Sequence, residues 1–160
     1  MSDFFRNLFN KSIDKWVFIG CNESITDYYD PTSVKILRDL SSIQVTCKRV
    51  YSAKGKQKLF NYWETRNLSR DEIDDIHHAY TSYIFAYEEK QMTLLVTTYV
   101  SYSDKVIVGY MFQTNDIKPG TVDESILKKY IFYPSEGFEN IKPGSINEVI
   151  FNKIINDYNL

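Results

Sequence analysis

"AYTSYIFAYEEKQMTLLVTTYVSYSDKVIVGYMFQ", residues 79–113, holds three runs rich in β-branched and aromatic residues, set apart by "KQ" and "SD". Such residues suit pleated, half-buried surfaces, and the short polar gaps suit tight turns. The stretch therefore predicts a meander of antiparallel hairpins. In the middle run, alternation places Met92, Leu94, Val96, Val100 and Tyr102 on one face. The other face carries Thr93, Leu95, Thr97, Tyr99 and Ser101, a mixture neither polar nor apolar. That face can be covered by an N-terminal helix, by a second subunit in a homodimer, or by a ligand.

Strands are also predicted on the N-terminal side. "WVFIG" and "TDYY" flank a "CNES" turn, and Asp30-Pro31 breaks the second of them. From Ile43 to Tyr51, Ile43, Val45, Cys47 and Tyr51 alternate with Gln44, Thr46 and Lys48, as in a half-buried strand. "KGKQKLFNYWETRN" carries Leu59, Tyr62 and Trp63 at helical spacing. In "LSRDEIDDIHHAY", Ser69 and Glu72 form a capping box, with acids in the first turn where the helix dipole favours them. Phe4, Phe5, Leu8, Phe9 and Ile13 predict an amphipathic helix over residues 1–15, docked on the domain.

"IKPG" occurs at Ile117–Gly120 and again at Ile141–Gly144. Thr121 with Glu124, and Ser145 with Glu148, follow as two capping boxes, each delivered by a Pro-Gly turn. Val122, Ile126, Leu127, Tyr130 and Ile131 make one helical stripe; Ile146, Val149, Ile150, Ile154 and Tyr158 make the other. One glycine per copy is too few for a phosphate cradle, and two copies are too few for a solenoid. The repeat is two helix starts.

The bulk composition excludes whole classes of function. The 160 residues fit a single domain at 16–160 behind the helix, and a net charge of −2 leaves no basic footprint for nucleic acid. No apolar run reaches the ~20 residues of a membrane span, so no integral membrane segment is expected. "MSDFFRNLFNKSIDKW" does not read as a secretory signal; the chain as it stands is expected to be cytoplasmic, or surface or periplasmic if an export signal has been trimmed. Cys21 and Cys47 sit in apolar runs and read as small buried hydrophobes, although neighbouring strands could still pair them.

Chemistry-bearing constellations are sparse. "DEIDDIHH" gathers four carboxylates and both histidines, but on a helix the adjacent His77 and His78 diverge by ~100° and cannot chelate together. No G-x-S-x-G element or other convergent catalytic pattern is present, and no cofactor or metal is expected. Lys54, Lys56 and Lys58 form the one positive cluster, a surface for an acidic partner. With Thr97 and Tyr99 of the mixed face they are the predicted partner-binding residues.

"FENIKPGSINEVIFNKI", with its aromatic, Ile, Pro-Gly-Ser turn and terminal helix, resembles the ending of surface-adhesin protein E-like domains. The opening is similar as well, in Trp16, Ile19, the Tyr28-Tyr29 pair, Asp30 and Ser33. So are "KGKQKLFNYWETRNLS" and the three-strand run, and the resemblance covers roughly residues 16–155. It implies an α+β fold in which an antiparallel sheet of about six strands carries the C-terminal helix across one face. It also implies a non-enzymatic binding role. The family's cysteines in a strand hairpin and in the last helix have no counterpart in "YEEKQMTLL" and "FNKIINDYN". The expected function is a protein-binding module using a sheet edge or the aromatic sheet face. The alternatives are a cytosolic immunity or inhibitor-type protein that neutralises a toxin or enzyme, and a small-ligand carrier or enzyme with a pocket between sheet and helices.

Overall fold

The structure is a computed structural model that describes residues 15–63, 68–112, 128–133 and 137–160. The predicted helix over residues 1–15, apart from Lys15, and the first capping box at Thr121 lie outside the described residues. Among the described residues nine strands form one sheet: β1 (Val17–Cys21), β2 (Ile25–Tyr29), β3 (Lys35–Leu37), β4 (Ser42–Tyr51), β5 (Ile76–Ala86), β6 (Gln91–Ser101), β7 (Val106–Met111), β8 (Tyr130–Phe132) and β9 (Glu139–Asn140). Among the described residues three α-helices accompany them: α1 (Ala53–Trp63), α2 (Arg70–Asp75) and α3 (Ile146–Tyr158).

The main path of the sheet runs β1-β2-β4-β5-β6-β7-β8, with β3 also on β4 and β9 also on β6. The α+β class with a C-terminal helix holds. The expected six antiparallel strands do not: the sheet has nine, and β8 runs parallel to β7. Splitting of long edges explains much of the excess. β2 and β3 both pair with β4, one after the other, because Asp30 turns the chain out of the ladder. Its carboxylate accepts from Thr32 N and Thr32 Oγ1 and meets Lys15 Nζ at 2.9 Å. Ser33 Oγ then accepts from Thr46 N at 2.8 Å, supplying β4 with the acceptor that the interrupted strand withdraws. At the other flank Tyr130 and Ile131, expected on a helical stripe, are strand instead. The Tyr130 ring lies over Gly109, where an added Cβ would fall 2.1 Å from the ring, and its hydroxyl bonds Thr98 Oγ1 at 2.5 Å. Only glycine admits that approach.

The capping box at Ser69 is present, but α2 ends at Asp75 and β5 begins at Ile76, so both histidines are strand residues. α3 starts at the second capping site, where Ser145 Oγ accepts from Glu148 N, and ends on Asn159 in the left-handed region. Its buried stripe of Ile150, Phe151 and Ile154 packs on Tyr29, Ile43, Val45, Phe85 and Met92. Ile73 of α2, with Leu59 and Phe60 of α1, packs further along the same face against Val108, Tyr110 and Tyr99. Among the described helices, none is long and apolar enough to cross a membrane.

Candidate functional site

A β-bulge decides what the helix-bearing face presents. β5 and β6 pair with Ser82 opposite Val96 but Tyr83 opposite Leu94, which leaves Leu95 as the extra residue. One inserted residue reverses the inward-outward sense of everything beyond it. Simple alternation assigned Met92 and Leu94 to one face and Thr97 and Tyr99 to the other. The bulge places all four on the same face, because their partners Phe85, Tyr83, Thr81 and Ala79 alternate without interruption. That corrects the reading of the mixed face.

The result is a crevice of ≈ 270 Å³ whose lining includes Cys47, Arg49 and Tyr51 of β4, with Thr81 and Tyr83 of β5. Met92, Leu94, Thr97 and Tyr99 of β6 complete its floor, and Glu139, Ile146 and Asn147 form a wall at the start of α3. It occupies the gap between the two helical covers. A hollow of ≈ 490 Å³ adjoins it through Tyr51 and is lined by Lys56, Gln57 and Phe60 of α1, Arg70 and Asp74 of α2, and Tyr102. A smaller hollow of ≈ 130 Å³ shares Met92, Leu94 and Glu139. Together they make a furrow across the sheet.

Arg49 is the charged centre of this furrow, and sequence reasoning missed it. It stands directly opposite Asp27 in the β2–β4 ladder. Nε donates to Oδ1 at 2.8 Å and Nη2 to Oδ2 at 3.0 Å, a bidentate pair in which Asp27 is 2 % exposed. Burial would lower the Arg49 pKa, but the hydrogen bonds and charge of Asp27 outweigh it and the guanidinium stays protonated. The signal was available in part: Arg49 shares its parity with Cys47 and Tyr51, and a lone cation on an inward face needs a partner of opposite sign.

Burial governs the protonation of the neighbouring groups. Burial pushes the Cys47 thiol well up, with Asp27 adding to it, so no thiolate nucleophile is offered. Burial likewise raises Tyr83, and lifts Tyr51 to about 12 against the opposing influence of Arg49. Tyr51 and Tyr99 stack with centroids 6.3 Å apart. Thr81 Oγ1 and Thr97 Oγ1 lie 3.2 Å apart across the ladder.

Of the predicted partner-binding residues, Thr97 and Tyr99 line the crevice and Lys56 lines the adjoining hollow. Lys56 Nζ donates to Tyr102 Oη at 2.6 Å and to the Asp74 carbonyl at 2.9 Å. It also sits 4.4 Å from the Tyr102 ring centroid. Lys54 instead pairs with Glu23, and Lys58 is exposed on α1. Cys21 and Cys47 are unpaired; Cys21 is exposed, contrary to its apolar setting, because it ends the edge strand β1.

The histidines form a second cluster. The bulge at His77 lets the adjacent rings converge rather than diverge, and their Nδ1 atoms lie 2.8 Å apart. Burial, then Lys48 and His77, lower His78 to about 4; burial, then Lys48 and Lys56, lower His77. Among the described residues no group of three or more His, Cys, Asp or Glu is placed to hold a metal ion.

Comparison with known proteins finds no matching family model, no matching curated protein and no matching solved structure.

Proposed function

We propose that this protein is a non-enzymatic protein-binding module that receives an extended segment of its partner along the furrow around Tyr51. The observation that carries this reading is the meeting of Thr97 and Tyr99 with Lys56 on two hollows that share Tyr51. An extended chain rising ~3.3 Å per residue can rest side chains in successive hollows, while tyrosines give rigid contact area at little entropic cost. The sequence likeness to surface-adhesin protein E-like domains supports the same role, and membership of that group is part of the proposal.

The test is capture of a stoichiometric partner from lysate of the source cell by immobilised protein. Thr97→Arg fills the crevice, and it should abolish capture while circular dichroism and melting temperature stay unchanged. A partner retained at full strength by Thr97→Arg and by Tyr99→Ala would place binding elsewhere.

A further inference from the structure

We propose that the central crevice is a socket for a carboxylate, presented by an acidic side chain of the partner segment; this rests on the binding reading above. Three observations converge on it. Asp27 occupies Nε and Nη2 of Arg49, so Nη1 is left pointing away from that edge of the planar fork, in a side chain that lines the crevice. Tyr83, 6 % exposed, lines the same crevice, and its hydroxyl has no hydrogen-bond partner among the described residues. Ile146 and Asn147 bring the first turn of α3 to the wall, where their amide groups have no acceptor among the described residues. The interior is therefore rich in donors, and the group it fits is an acceptor.

The carboxylates of Asp27 and Glu139 already nearby argue against a further anion, and distance decides the matter. Around a guanidinium, whose edges face directions ~120° apart, a carboxylate on a free edge lies ~4 Å from the charge centre and ~7 Å from the anion on the neighbouring edge. Coulomb's law then makes attraction outweigh repulsion by roughly two to one. Glu139 is exposed on the two-residue strand β9, where solvent screens it. The dipole of the 13-residue α3 adds to the attraction at its first turn.

The probe is N-acetyl-glutamate methylamide, titrated at constant ionic strength into ¹⁵N-labelled protein, with its glutamine isostere and acetate as parallel arms. Saturable shifts of the Thr81, Thr97 and Asn147 amides are expected with the glutamate probe, at least tenfold weaker with glutamine. Tyr83→Phe should weaken the glutamate probe several-fold without unfolding the chain, a control that Arg49→Lys does not give if it destabilises the sheet. Equal response to the glutamine isostere, or shifts confined to other surfaces, would overturn the assignment. Acetate binding as tightly as the glutamate probe would make the crevice a small-anion site and overturn the peptide source. Partner capture lost in Thr97→Arg alongside a silent glutamate titration would leave the furrow standing and remove the socket alone.

Discussion

The same three strands, β4, β5 and β6, floor two halves of one sheet face, and the halves are built differently. Under α3 the floor is Ile43, Val45, Phe85 and Met92, closed by Ile150, Phe151 and Ile154, with Phe85 and Phe151 edge-on at 5.7 Å. Beyond Cys47 the same strands supply Arg49, Tyr51, Thr81, Thr97 and Tyr99, and no helix of the described residues closes over their centre. One half spends its surface on cohesion; the other keeps polar groups along an open crevice. Burial of apolar area stabilises the first by about 25 cal/mol per Å². The second gains little stability from being open, which is the physical ground for reading it as the working surface.

The largest expected effect breaks the closed half. Ile154→Ala empties a fully buried position and should cost about 2–5 kcal/mol in chemical denaturation. Thr97→Ser, in the open half, should stay below about 1 kcal/mol. If the two losses came out equal, the division of the face would be wrong.

Next in size is the ion pair at the boundary. Asp27→Ala leaves the Arg49 guanidinium without its buried partner and should cost about 3 kcal/mol. Asp27→Leu with Arg49→Met should recover most of that stability, since the pair is no asset relative to well-packed apolar groups. The double variant should nevertheless lose partner capture, which separates the role of the pair in the site from its role in the fold.

A third comparison sets the crevice against the histidine cluster. His78 is 3 % exposed, faces His77 and Tyr80 at close range, feels the charges of Lys48 and Asp104, and among the described residues finds no partner for its buried Nε2. Its folded pKa of about 4 lies below the ordinary 6.5, so the unfolded chain binds the proton first as pH falls. Stability is therefore complete above pH 6.5 and is lost progressively from there toward pH 4, by on the order of 2 kcal/mol. Denaturation midpoints at pH 7.5 and 4.5 should show this slope, and His78→Phe should flatten it. A slope of the opposite sign would contradict the packing described.

How much of this was legible in the sequence depended on whether a local rule was left intact. The existence of the strand runs, the helix starts at Ser69 and Ser145, and Ile150 and Ile154 of the α3 stripe follow from alternation, capping and helical period. Val149 of that stripe is instead exposed, Phe151 outside it is buried, and the Glu148 carboxylate accepts from Gly144 N rather than closing the second box on Ser145 N. The bulge at Leu95 was not legible: its extra residue is as apolar as its neighbours, yet it moves Thr97 and Tyr99 onto the face of Met92. Arg49 was hidden for a related reason, since its partner Asp27 lies two strand segments earlier and register alone brings them together. β8 beside β7 depends on the Gly109–Tyr130 fit, a contact between segments that no local pattern encodes.

The smallest effects sharpen the reading of the lysine run. Lys54 and Glu23 are both largely exposed, and such a pair contributes at most about 0.5 kcal/mol, so Lys54→Ala should leave stability and capture unchanged. Lys58→Ala should be equally silent. Lys56→Ala removes a cation over the Tyr102 ring together with two hydrogen bonds, and should cost about 1 kcal/mol of stability. If the furrow continues from the crevice into this hollow, Lys56→Ala alone of the three should also weaken partner binding, and raising salt should erase part of the difference. Uniform weakening by all three lysine variants would point instead to a diffuse electrostatic surface and detach the hollow from the site.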